Sequence, residues 1–161
     1  MRSLHLLVAV LPAVALGCGG SGNAGPDADI TTYDCAADTR AQTYVAGLEV
    51  KGESGKLDFK LMDADPAPPA RGNNTWTLQI DAMSNNVVGS GVAGATMVAT
   101  PFMPDHGHGT PIVVGVTNSG GGQYELTPVN LWMPGYWVTT LVVTSPTAGT
   151  DTAQYRFCLP N

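Results

Sequence analysis

Short segments of this chain alternate between apolar and polar residues, which is the pattern of strands buried on one face. In the clearest one, 75–82 (TWTLQIDA), the residues Trp76, Leu78 and Ile80 share a face, and 57–62 (LDFKLM) alternates in the same way. Further strand patterns occupy 44–50, 94–102, 112–117, 123–126, 129–133, 137–144 and 152–159. Because such strands must bury one face against a second layer, the alternation predicts two packed sheets.

The predicted fold is all-β: an immunoglobulin-like antiparallel β-sandwich of seven to nine short strands. The 20 glycines and 12 prolines supply the turns between the strands. A small β-barrel has the same periodicity and stays open as the alternative. Prolines interrupt the ladder of a central strand, so we expect those at 101, 104, 111, 128 and 134 to lie at sheet edges or strand ends.

The composition excludes two broad classes. With 43% hydrophobic and 12% charged residues, the chain is too apolar for a disordered protein. Its formal net charge is −6, and seven lysines and arginines spread along the chain form no basic patch. Binding to nucleic acid is therefore not expected, because phosphate contacts require clustered positive charge.

The N-terminus has the pattern of a bacterial lipoprotein signal, predicted at residues 1–17. Arg2 precedes an apolar run, Leu6–Leu16, of eleven residues, too short to span a bilayer, which takes about 20. Cys18 follows as the predicted lipidated first residue of the mature chain, although Ala15 and Leu16 stand in swapped order relative to the usual pattern. The alternative is an ordinary secretory signal cut nearby, which would leave Cys18 as a spare thiol.

Lipidation would place the protein at the cell envelope, anchored to the membrane and facing the periplasm. The outer membrane is the favoured location, and an envelope protein is a candidate partner. Residues 18–32 are small and polar and are predicted to form a flexible tether. The β-sandwich domain is predicted to occupy 33–161.

The chain has three cysteines, an odd number that lipidation of Cys18 would resolve. The remaining pair, Cys35 and Cys158, is predicted to form a disulfide in an oxidising compartment. It would close a loop of about 120 residues and stabilise the fold by about 4–5 kcal/mol. Metal ligation by the two thiolates is the alternative, but their spacing is wrong for it.

The candidate chemistry lies in 102–110 (FMPDHGHGT), which holds both histidines of the predicted mature chain, His106 and His108. Imidazole nitrogens suit copper and zinc, and thioethers such as that of Met103 favour Cu(I). Asp105 could accept a hydrogen bond from a histidine N–H or could cap a turn. The alternative is that the segment is a tight loop with methionine as core filler.

This motif and two later ones together resemble the YtkA-like domain, which is related to the FixH-like proteins. The resemblance is carried by 103–109 (MPDHGHG), 122–124 (GQY) and 131–137 (LWMPGYW), and it covers about 72–145. It implies an immunoglobulin-like β-sandwich on an envelope protein, in a family found near copper-handling systems. Carried over by position, the implied ligand residues are Met103, His106, His108 and Met133.

Copper is therefore the predicted cofactor, bound for holding or delivery and not for catalysis. No enzyme is expected, since no Gly-x-Ser-x-Gly nucleophile motif occurs and paired aspartates lie in loops rich in glycine or proline. The alternative function is a metal-free structural or protein-interaction module that uses Trp132, Tyr136 and Trp137 as an exposed aromatic patch.

Overall fold

The computed structural model describes residues 33–161. The predicted signal peptide, the lipidated Cys18 and the tether lie outside the described residues and remain predictions. Ten strands form in the described part of the chain, in the following order: β1 Leu48–Lys51, β2 Leu57–Asp65, β3 Gly72–Ser84, β4 Val87–Gly91, β5 Thr96–Met103, β6 His108–Gly109, β7 Gly115–Gly120, β8 Gln123–Leu131, β9 Gly135–Ser145 and β10 Gly149–Leu159.

The strands make two antiparallel sheets packed face to face, which confirms the predicted β-sandwich. The larger sheet has the order β1-β2-β3-β8-β7, with β4 paired to the C-terminal part of β3. The smaller sheet has the order β10-β9-β5-β6. Because β6 pairs only with the last two residues of β5, it closes one corner of the smaller sheet.

The core lies between the sheets and contains the side chains that the alternation assigned to it. Trp76, Leu78 and Ile80 on β3 are fully buried, as predicted. The Trp76 ring makes edge-to-face contacts with Tyr155 and Phe157 of β10, with centroid distances of 6.0 and 5.7 Å. These contacts join the two sheets through large aromatic surfaces, which favour this geometry.

Two features of the ladder differ from the sequence-based expectation. The strands β4 and β6 were not predicted, because β4 is exposed along its whole length and β6 has only two residues, so neither shows an alternating pattern. Pro128 lies inside β8, a central strand, where an edge or strand end was predicted. It falls at a register irregularity where it pairs with neither neighbouring strand, so its missing N–H leaves no ladder bond unmade.

A buried aspartate of β10 closes the turn between β1 and β2. Asp151 is 1% exposed, and four backbone N–H groups donate to its carboxylate at 2.7–3.0 Å: those of Ser54, Lys56, Leu57 and Thr152. Burial alone raises the pKa of this carboxyl, but the four donors outweigh it and hold the pKa of Asp151 below its usual value. One side chain of the smaller sheet thereby fixes a turn of the larger one.

The disulfide between Cys35 and Cys158 is present, as predicted, with Cα atoms 5.5 Å apart. It attaches residues 33–42, here called the strap, to the end of β10. Gln42 adds a second attachment, since its backbone N–H donates to the Arg156 carbonyl at 2.7 Å and its side chain accepts from the Arg156 N–H at 2.8 Å. The strap therefore covers part of the free edge of β10.

Across residues 33–161, no helix is long and apolar enough to cross a bilayer.

Candidate metal centre

The predicted metal-binding histidines lie at the tight turn between β5 and β6, with His106 in the turn itself and His108 as the first residue of β6. Residues 104–109 are here called the histidine turn. The N–H groups of His106 and Gly107 donate to the Met103 carbonyl at 3.2 and 2.9 Å, which closes the turn. Gly107 has φ of +67°, a conformation that a residue with a Cβ rarely adopts. His108 then pairs with Met103 across the ladder, and directly opposed residues of an antiparallel pair share a face of the sheet.

The two imidazoles are neighbours. The ring centroids of His106 and His108 are 5.6 Å apart, with the planes tilted by 49°. A metal ion lies about 2 Å from each ligating nitrogen, so two rings that share one ion have centroids about 5–6.5 Å apart. The observed spacing falls within this range, with His106 exposed to solvent and His108 half-buried.

Hydrogen bonding and stacking orient the His108 ring. Its Nδ1 lies 3.1 Å from the Gly109 carbonyl and donates to it, which leaves the Nε2 lone pair available. The ring also stacks on Trp132 at a centroid distance of 5.4 Å and an interplanar angle of 25°. Trp132 follows β8, so the loop between β8 and β9 reaches the histidine turn.

The two predicted methionine ligands lie at the same end of the sandwich but at different depths. Met103 is fully buried within the core, and its methyl group lies so close to Gly135 that a Cβ there would come within 2.8 Å of Cε. Met133 is half-buried, and its carbonyl accepts a hydrogen bond from Trp137 Nε1 at 2.9 Å. The structure thus brings the loops that carry the four predicted ligands to one end.

Carboxylates and thiolates do not add to this group. Among residues 33–161, no three side chains of His, Cys, Asp or Glu come together in a way that could hold a metal ion. The two cysteines are bonded to each other. Within residues 33–161, the candidate donors at this end are therefore the two imidazoles and the thioethers.

Asp105 does not accept a hydrogen bond from a histidine ring. Its carboxylate takes two hydrogen bonds from the Arg40 guanidinium, both at 2.7 Å, and one from the Tyr33 hydroxyl at 3.0 Å. The hydrogen bonds from Arg40 are the main reason that the pKa of Asp105 lies below its usual value. Partial burial, followed by hydrogen bonds to Asp38 and Asp105, raises the pKa of Tyr33 to about 12, so its hydroxyl stays protonated at neutral pH.

The sequence did not single out Arg40, because 65 residues separate it from Asp105 and no local pattern links them. It also did not identify Trp132 as the stacking partner of His108. The order of the motifs placed the histidine turn and the segment around Trp132 in one family domain. This order was the one sequence signal that could have linked His108 with Trp132.

The predicted aromatic patch is present only in part. Trp132 is 46% exposed, but Tyr136 and Trp137 are buried, so an exposed patch of all three is wrong. Trp137 packs in the core instead. Two surface grooves flank Trp132: one of about 740 Å³ along the proline-rich loop 66–72, and one of about 420 Å³ beside Pro111 and Ile112.

The comparison with family models identifies the class of protein. The YtkA-like family matches residues 52–142, more than half of the chain, and the chain belongs to this family. The matched region contains both loops of the candidate site and excludes the strap. It begins before the region over which the sequence resembled the family.

The other comparisons give less. A copper-bound variant of FetP from uropathogenic Escherichia coli is similar at 13% identity and a TM-score of 0.43, over 73% of this chain and 91% of that one. Similarity at this level is too low to transfer any property. No curated protein matches the chain.

Proposed function

We propose that this protein is a lipid-anchored envelope protein that holds a copper ion, for storage or delivery, at the end of its β-sandwich. The proposed ligands are the imidazoles of His106 and His108 with the thioethers of Met103 and Met133. The observation that supports this best is the placement of His106 and His108 on one turn with ring centroids 5.6 Å apart.

The available donors favour copper over zinc. Structural zinc sites usually add thiolates or carboxylates to histidine. Here both described cysteines are in a disulfide, and Asp105 is occupied by Arg40. Thioether sulfur is a soft ligand that suits Cu(I), and unlike a thiol it is not consumed by disulfide formation in an oxidising compartment.

The differing depths of the side chains fit holding and delivery. Met103 is buried, His108 is half-buried and His106 is exposed, so a partner's ligand would first meet the ion on the His106 side. Membership of the YtkA-like family agrees with this proposal, because the resemblance implies a family found near copper-handling systems.

A Cu(I) titration against a competing chromophoric chelator tests the proposal. The full chain would carry Cys18→Ser to prevent lipidation. We expect the wild type to bind one Cu(I) per chain. In the double variant His106→Ala and His108→Ala, the Cu(I) affinity should fall by more than the roughly 10–100-fold that is typical of losing an outer-shell partner. Met103→Leu should weaken binding while keeping the fold, because the two side chains have similar volume.

Met83→Leu is the matched control, since Met83 is also buried but lies at the end of β3 and belongs to neither site loop. It should bind Cu(I) as the wild type does. Undiminished binding by the double histidine variant would rule out the proposed site.

One observation favours the metal-free interaction module instead: Trp132 is exposed between two grooves. If the protein serves only to bind an envelope partner through this residue, the wild type should bind no Cu(I). The Cu(I) titration therefore separates the two functions.

A further inference from the structure

The strap bonds to the histidine turn although it lies outside the region matched by the family. Arg40 donates from Nη1 to Asp105 Oδ1 and from Nη2 to Asp105 Oδ2, each at 2.7 Å. A two-point pair of this kind fixes direction as well as distance, because guanidinium and carboxylate are both planar. Asp105 directly precedes His106, so the pair acts on the residue next to the first imidazole.

Other contacts hold Arg40 itself in place. Its Nε and Nη2 donate to Asp38 at 2.9 and 2.6 Å, and Nη2 also donates to the Tyr33 hydroxyl at 3.0 Å. The guanidinium lies 4.1 Å over the centre of the Tyr136 ring, within the range of a cation–π contact. The Arg40 guanidinium is therefore held in place where it binds Asp105.

The strap, which carries Arg40, is attached to the sandwich near both of its ends. Cys35 is bonded to Cys158, and Gln42 exchanges hydrogen bonds with the backbone of Arg156. The histidine turn, by contrast, is closed by its own backbone and contains Gly107, a residue type that permits many conformations. Of the two segments that Arg40 and Asp105 join, the strap is therefore held more firmly than the histidine turn.

We propose that the strap is a positioning device: Arg40, through Asp105, holds the turn so that His106 and His108 face the same ion. This inference rests on the proposed copper binding. Arg40 and Asp105 are positioning residues in it and not ligands. Without the hydrogen bonds between Arg40 and Asp105, the turn would have to be ordered when the ion binds, and that ordering would lower the affinity.

The test compares Arg40→Gln with the matched control Arg156→Gln in the full chain carrying Cys18→Ser. Arg156 is a nearby arginine of β10 whose side chain bonds to Gln154 and not to the turn. The measurements are amide ¹⁵N order parameters of the copper-free protein and Cu(I) affinity by chelator competition.

In Arg40→Gln, order parameters at 105–107 should fall below about 0.6, the range of flexible backbone. The Cu(I) affinity should fall about 10-fold, near the lower end of the effect of losing an outer-shell partner. Arg156→Gln should change neither quantity. Arg40→Lys keeps the charge but not the planar fork, so it should give intermediate values.

Unchanged order parameters in Arg40→Gln would overturn the inference, and so would unchanged affinity in a chain whose wild type binds Cu(I). The order parameters do not depend on copper. They therefore show whether Arg40 orders the turn even if the wild type binds no Cu(I), a result that would overturn the proposed function and leave the ordering of the turn without a role in copper binding.

Discussion

The two ends of the sandwich are each closed by an aspartate, but in opposite ways. At the hairpin end, the turn between β1 and β2, Asp151 is buried and accepts four backbone N–H groups. At the histidine end, the turn between β5 and β6, the Asp105 side chain is 33% exposed and accepts from the side chains of Arg40 and Tyr33.

The hairpin end contributes to the stability of the fold, whereas the histidine end orients a turn. Buried backbone donors leave a large penalty behind if their acceptor is removed, so the hairpin end contributes to the stability of the fold. An ion pair near the surface is screened by water and contributes little free energy, but it can still direct a turn. The end with the weaker closure is the one that carries the histidines.

The largest effect is expected at the hairpin end. Asp151→Ala removes the acceptor of four backbone N–H groups and should lower the free energy of unfolding by about 3–4 kcal/mol. Urea denaturation measures this. Asp151→Asn keeps one acceptor oxygen and should lose about half as much. A loss below about 1 kcal/mol in the alanine variant would mean that the two ends do not differ in this way.

A second substitution tests the histidine end for a steric limit. In Gly135→Ala, the new Cβ would lie 2.8 Å from Met103 Cε, at a φ of +124° that disfavours alanine. We expect a loss of about 2 kcal/mol and a displaced Met103 methyl resonance, measured by thermal unfolding and methyl NMR.

Gly121→Ala is the control for backbone strain alone, because Gly121 has φ of +62° and a Cβ added there would meet no atom within 4 Å. It should cost about 1–2 kcal/mol and leave the Met103 methyl unmoved. Equal effects of the two alanines on stability and on that methyl would exclude the contact between Gly135 and Met103.

The smallest effect concerns Asp58, a buried aspartate of β2 that sharpens the contrast with Asp151. Both of its carboxylate oxygens are buried, and neither has a hydrogen-bond partner within residues 33–161. Burial, with the carboxylates of Glu49 and Asp81 adding to it and Lys60 opposing, raises the pKa of Asp58 to about 6. The folded state therefore binds a proton more tightly than the unfolded chain, and stability should fall as pH rises through about 6.

Asp58→Asn imitates the protonated form and should remove this loss. At about pH 8 the variant should be more stable than the wild type by about 1–2 kcal/mol, and the difference should vanish below about pH 4. Urea denaturation across this range measures it, with Asp65→Asn, at an exposed position of the same strand, as the control. If the free energy of unfolding of Asp58→Asn fell with pH as steeply as that of the wild type, the pH dependence would belong to another group.

Local patterns in the sequence were enough to predict the strands other than β4 and β6, the buried faces of the clearest strands, and the disulfide. The alternation around Trp76 can be read from neighbouring residues, and the pairing of Cys35 with Cys158 followed from counting cysteines. The histidine turn was located because its residues are contiguous. The ligand roles of those residues remain predictions.

The features that the sequence missed depend on distant residues. Asp151 meets Ser54 across 97 positions, and Arg40 meets Asp105 across 65, so no period or spacing marks either pair. Pro128 was misplaced because its tolerance in a central strand depends on a register irregularity that it shares with β3. The buried Tyr136 likewise has a distant neighbour, since Arg40 of the strap lies over its ring.

The bond between Cys35 and Cys158 also determines how the domain would carry a mechanical load. A pull on the chain at Cys35 would pass through the sulfur atoms to Cys158, near the end of β10. The 122 residues between the two cysteines form a closed loop that such tension bypasses. Such tension would thus be carried by a covalent bond and not by the hydrogen bonds within that loop.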